Sequence, residues 1–245
     1  MSKDTVLILG ARSDIAISVA HQFAKIGYNI QLAARNVESL ETDKSDIEIR
    51  YNVSVTLHNF DVLDIDSHER FIHSLPGLPG IAVCAVGYMG EQTESERDLH
   101  LAVRVMRSNF EGPASILAVL ANHFENRGSG TLVGISSVAG ERGRATNYIY
   151  GSAKAGFTAF LSGLRNRLAK KGVHVITLLP GLVATKMTSG MDLPVKLTAQ
   201  PDEVAIAVLS AVQKKNNVVY IKWIWWPIMM IIRNIPEWVF KKTKI

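Results

Sequence analysis

Residues 6–27, VLILGARSDIAISVAHQFAKIG, decide the fold of this chain. Four apolar residues predict a short buried strand, and Gly10 begins a turn. Apolar residues then recur at three- and four-residue spacing, which predicts a helix with one face packed on a sheet until Gly27 ends it. The apolar positions of that face are Ile15, Ala16, Val19, Ala20 and Phe23.

The same alternation of short apolar runs and longer helical stretches continues along the chain. Strands are predicted at residues 6–9, 30–33, 54–58, 81–86, 131–135, 174–179 and 218–221. Helical periodicity covers about 94–110, 114–126, 145–169 and 201–212. We therefore predict an α/β fold of the Rossmann type, a doubly wound, seven-stranded parallel sheet with helices on both faces.

Residues 185–200 interrupt this rhythm, because their apolar residues have no clean period. We interpret the segment as a mobile lid over a substrate, with an ordinary surface loop as the alternative.

The bulk composition predicts one folded domain. Residues 1–245 suffice for a single large domain, in which about 218–245 form the last strand and an apolar and basic tail. The chain has 47% hydrophobic and 20% charged residues, which excludes a disordered chain. The net charge of +5 suits an anionic partner, but the basic residues are dispersed and form no nucleic-acid-binding motif.

The single cysteine and the N-terminus indicate the compartment. Cys84 lies within the apolar run 81–86, so no intrachain disulfide and no cysteine-based zinc site are predicted, and we expect no metal site. Residues 1–9 enter the first strand without a secretory signal pattern. We expect a cytoplasmic protein.

The turn at Gly10 lies where a dinucleotide pyrophosphate meets the free amides of a helix N-terminus. Such turns usually carry three glycines, whereas Asp14 and Ala16 stand at the other two positions here. Asp14 either caps the helix or weakens phosphate binding. The residues predicted to contact the dinucleotide in this turn are Gly10, Arg12, Ser13, Asp14 and Ile15.

A basic residue ends the second predicted strand. Arg35 stands where an acidic residue would bind the ribose hydroxyls of NAD, and a basic one favours the additional phosphate of NADP. Arg12 supplies a second positive charge. We therefore predict NADPH in preference to NAD, with two solvated surface arginines as the alternative.

Four polar residues predict carbonyl chemistry. Tyr150 and Lys154 lie four residues apart on one helix face, where an ammonium lowers the pKa of a phenol. This spacing also arises by chance, so its neighbours matter. Ser137 follows a strand and is placed to hold a carbonyl oxygen, while Asn109 comes from a neighbouring helix. The alternative is that Ser137 and Asn109 only cap local structure.

These motifs, in this order, resemble the short-chain dehydrogenase/reductase family over residues 6–212. The resemblance implies that Tyr150 is the general acid, that Lys154 lowers its pKa and binds the nicotinamide ribose, that Ser137 orients the substrate and that Asn109 holds a proton-relay water. The family's Asn-Asn-Ala-Gly signature is replaced by residues 84–87, CAVG. Further cofactor contacts implied by the resemblance are Asp61, Val62, Val86, Gly87, Pro180, Gly181, Val183 and Thr185.

The C-terminal tail contains all four tryptophans and ends in lysines. Its uninterrupted apolar run is about half of the roughly 20 residues that span a bilayer, so we expect it to lie on a membrane interface. The alternatives are a dimer contact and a wall of the substrate pocket.

With the first turn, this tail resembles the subgroup that reduces a polyprenyl-phosphate-linked 2-keto-pentose. Arg142 and Arg144 are then candidates to face the phosphate of that substrate.

We therefore expect an NADPH-dependent ketone reductase acting on a small-molecule or lipid-linked carbonyl substrate, at the inner face of the membrane, as a homodimer or homotetramer. One alternative is a reductase or dehydrogenase of a soluble ketone, acyl or steroid-like substrate. The other is a non-catalytic, dinucleotide-binding regulatory protein, suggested by the altered glycine turn.

Overall fold

The computed structural model describes residues 4–190 and 192–243. Its main sheet has seven parallel strands and confirms the predicted fold class. In sheet order these are β3 (Val55–Asn59), β2 (Asn29–Ala34), β1 (Thr5–Leu9), β4 (Ile81–Cys84), β5 (Gly130–Ile135), β6 (Val173–Pro180) and β9 (Val218–Ile221). The order reverses beside β1, which pairs with both β2 and β4. A crevice therefore opens at the carboxyl ends of β1 and β4.

Helices cover both faces of this sheet. They are α1 (Asp14–Lys25), α2 (Glu41–Tyr51), α3 (His68–Ser74), α4 (Gln92–Arg97), α5 (Leu99–Met106), α6 (Gly112–Arg127), α7 (Tyr148–Leu168), α8 (Pro201–Lys214), α9 (Trp225–Asn234) and α10 (Glu237–Phe240).

The side chains of β1 divide the hydrophobic core in two. Val6 and Ile8 pack in the cluster that contains α1 and α8, whereas Leu7 and Leu9 pack with α6 and α7. Successive side chains of a strand point to opposite faces of the sheet. A central strand covered on both sides must therefore be apolar at every position, as β1 is.

The prediction of one continuous helix over residues 94–110 is wrong, because the stretch is divided into several elements. The Asp98 side chain accepts a hydrogen bond from the backbone amide of His100 at 2.8 Å, and this cap starts α5 separately from α4. A π-helical stretch, Arg107–Glu111, then joins α5 to α6. Helices α2 and α3 were not predicted; in α2, Ile47 is the one buried residue, so its apolar pattern is weak.

Residues 185–200 carry local structure at both ends. A short β7 (Leu182–Val183) pairs with β8 (Thr198–Ala199), and a single 3₁₀ turn, Lys186–Thr188, follows β7. The backbone amide of Lys186 donates to the Asp14 carboxylate at 2.8 Å. The segment is thus tied to the start of α1.

The tail forms two short helices on the carboxyl side of the sheet. Trp225, Met229 and Ile232 of α9 are buried against Val138 and Leu179. The Trp225 indole donates to the Leu197 carbonyl at 3.1 Å. Within residues 4–190 and 192–243, no helix combines the length and the hydropathy that crossing a membrane requires.

Candidate active site

Three of the predicted catalytic residues meet at one cavity of about 730 Å³, formed at the carboxyl edge of the sheet by Ser137, Tyr150, Lys154 and their neighbours. Ser137 follows β5, and its hydroxyl accepts a hydrogen bond from the Ala139 amide at 3.1 Å. Tyr150 and Lys154 lie one turn apart on α7. The Lys154 ammonium donates to the Ile135 carbonyl at 3.0 Å and lies 5.7 Å from the centroid of the Tyr150 ring.

Two glycines allow the loop that carries Ser137, called the serine loop below, to pack against α7, which carries Tyr150. A Cβ on Gly140 would lie 2.6 Å from the backbone nitrogen of Ala155, and one on Gly151 would lie 2.8 Å from the Ala139 carbonyl oxygen. Only residues without a side chain allow the 3₁₀ turn Val138–Gly140 to pack directly on the first turns of α7. Neither glycine was predicted to shape the site, although each lies within four residues of a predicted catalytic residue.

Burial shifts the pKa values of the two titratable groups toward their neutral forms. It raises the pKa of Tyr150 to about 12, with only partial compensation by Ser137, and lowers the pKa of Lys154 to about 8. Burial and the Ser137 hydroxyl set the pKa of the phenol in this structure, so the expectation that Lys154 lowers it stays a prediction. Tyr150 holds its proton at neutral pH, as a proton donor must.

Asn109 is fully buried in the π-helical stretch and lies behind the cavity rather than in its lining. Its amide nitrogen donates to the Val105 carbonyl at 2.8 Å and to the Tyr88 carbonyl, while its oxygen accepts from the Tyr88 amide at 3.3 Å. A Cβ on Gly87 would lie 3.3 Å from this oxygen and 3.8 Å from the Lys154 ammonium. Asn109 thus fixes the loop that follows β4 at Tyr88, and its role in a water relay stays a prediction.

Many of the residues predicted to contact a dinucleotide line the same cavity. These are Ile15, Val86, Gly87, Tyr150, Lys154, Pro180, Gly181, Val183 and Thr185. They come from the loops that follow β4 and β6 and from helices α1 and α7, and the parallel sheet brings these elements together at one edge.

In the turn at Gly10, the helix cap is a different residue from the one predicted. Gly10 has a φ of +83°, and a Cβ there would lie 2.9 Å from the backbone nitrogen of Val86, so only glycine fits. Ser13, not Asp14, caps α1, because its hydroxyl accepts a hydrogen bond from the Ala16 amide at 3.1 Å. Asp14 instead binds Lys186, so its carboxylate is directed to residues 185–200.

The remaining predicted cofactor residues lie outside the cavity lining. Arg12 and Arg35 are exposed, and their side chains make no ion pair or hydrogen bond within the part of the chain that the structure describes. The Asp61 carboxylate accepts from the Leu63 amide at 3.0 Å, which fixes the loop after β3. Val62 is buried against Gly112.

The two arginines of the loop between β5 and α7 make different contacts. Arg142 pairs with Glu237 of α10 at 2.6 Å and covers the Phe240 ring at 4.1 Å, so the expectation that it faces a substrate phosphate is wrong. Arg144 lines the cavity.

Trp225 also lines the cavity, which places part of the tail in the pocket wall. This was one of the alternatives for the tail. No periodicity distinguishes Trp225 from its neighbours, because its position depends on the close approach of Gly181, where a Cβ would lie 2.0 Å from the indole.

Comparisons with known proteins agree with this geometry. The family model of the short chain dehydrogenase matches residues 4–194. An uncharacterized oxidoreductase of Mycobacterium tuberculosis is 36% identical over 240 residues, covering 97% of this chain and 96% of the relative. The chain belongs to the short-chain dehydrogenase family, and it is an oxidoreductase of that family, which uses NAD(P).

Two further relatives carry more specific names. An NADP-dependent 3-hydroxy acid dehydrogenase of Schizosaccharomyces pombe is 28% identical, covering 88% of this chain and 89% of the relative. The structure of a Sphingobium yanoikuyae short-chain dehydrogenase in complex with NADPH has a TM-score of 0.79 at 23% identity, covering 96% of this chain and 97% of that one. At that identity the second likeness concerns the fold.

The buried ammonium of Lys154 predicts a specific dependence of stability on pH. The unfolded lysine titrates near 10.5 and the folded one near 8, so between these values the folded state binds fewer protons and gains stability as pH rises. The free energy of unfolding of the native sequence minus that of Lys154→Met should therefore rise by up to about 3 kcal/mol from pH 8 to pH 10.5. Urea denaturation of the cofactor-free proteins measures this difference, in which the shifts of other groups cancel. A flat or falling difference would contradict the assignment.

Proposed function

We propose that this protein is an NADPH-dependent ketone reductase. The observation that carries the proposal is the meeting of Ser137, Tyr150 and Lys154 at one cavity, with the phenol protonated at neutral pH. A carbonyl reduction needs a proton donor and a polar group at the oxygen, and both are present here.

The residues around the cavity fit a nicotinamide dinucleotide. Gly10 allows the first turn to approach residue 86 closely, and Ser13 leaves the first turn of α1 as a regular helix N-terminus for a pyrophosphate. Residues 86–87 and 180–185 would hold the nicotinamide end, and Asp61 and Val62 the adenine end. When bound, this cofactor supplies the hydride.

The chain's own residues handle the oxygen of the substrate. The Ser137 hydroxyl would donate a hydrogen bond to the carbonyl oxygen, and the Tyr150 phenol would give it a proton. The Lys154 ammonium lies against the Tyr150 ring and would stabilise the phenolate that remains. Asn109 would position the loop after β4, in which Gly87 lies close to Lys154.

Preference for NADPH is supported by Arg12 and Arg35. Both arginines are exposed near the carboxyl edge of the sheet, where they have no acidic partner among the residues described by the structure. The relative from Schizosaccharomyces pombe is named NADP-dependent. A planar guanidinium binds a phosphate through two hydrogen bonds, which a ribose hydroxyl cannot match.

Tyr150→Phe should lower turnover about 100-fold or more, because it removes the proton donor and keeps the ring. NADPH oxidation is followed with a panel of soluble and lipid-linked ketones, and NADPH affinity is measured by fluorescence titration and should not change. Tyr148→Phe is the matched control, since Tyr148 is exposed two residues earlier and does not line the cavity. Equal turnover by the native protein and Tyr150→Phe would refute the role. NADPH binding without oxidation of any ketone would favour the non-catalytic alternative.

Arg35→Asp should reverse the cofactor preference, because a carboxylate repels the additional phosphate and accepts hydrogen bonds from ribose hydroxyls. The ratio of kcat/KM for NADPH to that for NADH should fall by about tenfold or more. Lys214→Asp, which makes the same kind of exposed charge change on α8 before β9, should leave the ratio unchanged. An unchanged ratio in Arg35→Asp would show that this residue does not select the cofactor.

A lipid-linked keto-sugar at the inner, cytoplasmic face of a membrane is the substrate and setting that we propose for this reductase. The supporting observation is the outer side of the tail, where Trp223, Trp226, Ile231 and Trp238 are exposed beside lysines. Tryptophan and lysine together favour the interface of an anionic membrane. Trp225 lines the cavity and lies on α9 beside Trp226. A membrane-bound tail would therefore place the pocket near the lipid.

Self-association as a homodimer or homotetramer is part of the same proposal. Leu99, Val103 and Met106 of α5 are exposed apolar side chains, which supports a contact between copies of the chain.

The membrane contact predicts binding to vesicles. Ile231→Ser with Trp238→Ser should reduce co-sedimentation with phosphatidylglycerol vesicles several-fold, because it removes apolar area from the outer side of the tail. Ile49→Ser with Ile206→Ser removes two other exposed apolar residues, from α2 and α8, and should have no effect. Equal binding by all three proteins, or none by the native sequence, would favour a soluble substrate.

A further inference from the structure

The charged residues of the loop between β5 and α7 differ in whether they have a partner. Glu141 accepts hydrogen bonds from Tyr220 at 2.7 Å and from Arg233 at 3.0 Å. Arg142 is paired with Glu237. The Arg144 guanidinium has no hydrogen bond or ion pair with any residue in 4–190 or 192–243. Its neighbours in the loop are therefore fixed by the tail, whereas Arg144 is left for another partner.

The environment of Arg144 is unusual for an unpaired charge. The residue is half-buried, its Nε is buried without a hydrogen-bond partner, and this burial lowers the pKa of the guanidinium. Buried polar groups in folded proteins are nearly always satisfied, and buried charges are nearly always paired. An arginine kept in this state indicates a requirement other than stability.

Buried polar atoms without a partner occur in five side chains of the described residues, and they fall into two groups. Gln31, His68 and Glu141 each make a hydrogen bond through another atom of the same side chain. Arg144 and Asn147 make none through any side-chain atom, and both line the cavity that contains Tyr150. Of these five side chains, the two without any hydrogen bond thus lie together at the candidate active site.

The acidic residues of the cavity do not neutralise Arg144. Glu91 and Glu96 are the carboxylates that line it within the described residues, and both are exposed. Glu96 accepts a hydrogen bond from Gln92 at 3.0 Å, and neither carboxylate lies within 4.0 Å of the guanidinium. The ammonium of Lys154 adds a second positive group to the lining.

We propose that Arg144, with the Asn147 amide beside it, binds an anionic group of the substrate, a carboxylate or a phosphate. The guanidinium would donate two parallel hydrogen bonds to that group, while the carbonyl of the same molecule lies at Ser137 and Tyr150. A cavity of about 730 Å³ has room for both ends of such a molecule. The inference rests on the proposed reductase function and adds to it that the substrate is an anionic ketone.

The first test measures anion binding without turnover. Isothermal calorimetry with inorganic phosphate and with acetoacetate is run on the native protein, Arg144→Met and Arg142→Met, each with and without NADP⁺. Arg144→Met should lose about tenfold or more in affinity, whereas Arg142→Met should match the native protein. Anions that bind elsewhere contribute equally to all three proteins, so the difference reports on Arg144. Equal affinities in Arg144→Met and the native protein would overturn the proposal.

The second test separates carboxylate, phosphate and neutral substrates. Acetoacetate is compared with methyl acetoacetate, and dihydroxyacetone phosphate with dihydroxyacetone, in the same titrations. The charged member of at least one pair should bind more tightly to the native protein, and Arg144→Met should remove the difference. The pair that responds identifies the anion. No preference for either charged probe would count against the proposal.

Stability gives an independent readout. Arg144→Met removes no hydrogen bond or ion pair of the described residues, so its Tm should be equal to or above that of the native protein. A Tm several degrees lower would indicate a structural role instead.

Tyr150→Phe should keep the anion affinity. Anion binding without ketone reduction therefore refutes the reductase function alone, and reduction of neutral ketones without anion binding refutes this inference alone.

Discussion

The parallel pairing of β1 with both β2 and β4 is the constraint on which the rest of the structure depends. Parallel strands point their carboxyl ends to one edge, and the sheet order reverses beside β1. Every loop that carries a candidate functional residue leaves the sheet at that edge. The glycine turn, the serine loop and residues 180–185 are far apart in sequence, and they meet because the strands preceding them are parallel.

Burial is the second organising effect at the site. The same apolar packing that holds α7 against β5 raises the pKa of Tyr150 and lowers the pKa of Lys154. Burial thereby favours the neutral form of each residue. A carbonyl reduction uses the proton of the phenol, so the neutral phenol is the form that it requires. The carbonyl of Ile135 partly compensates the ammonium of Lys154, which explains why a lysine is tolerated at this depth.

Much of the fold was predictable from the sequence, because each strand of the main sheet is a short apolar run between turn residues. The weakly amphipathic α2 and the break at Asp98 were not, since a single capping carboxylate outweighs the helical period around it. Within the site, Ser137, Tyr150 and Lys154 were predictable from local motifs. The partners of Asp14 and Arg142 were not, because they lie 172 and 95 residues away along the chain.

The geometry of α9 has a consequence for how this chain tolerates change. Its buried face contains Trp225 and Met229, and its exposed face contains Trp226 and Met230, so the two faces are offset by one residue. One residue corresponds to a rotation of about 100° in an α-helix. Substitutions on the outer face leave the pocket wall intact, whereas an insertion or deletion of a single residue before α9 would rotate Trp225 and Met229 out of their buried positions. The tail therefore tolerates replacements on its outer face better than a change of length before α9.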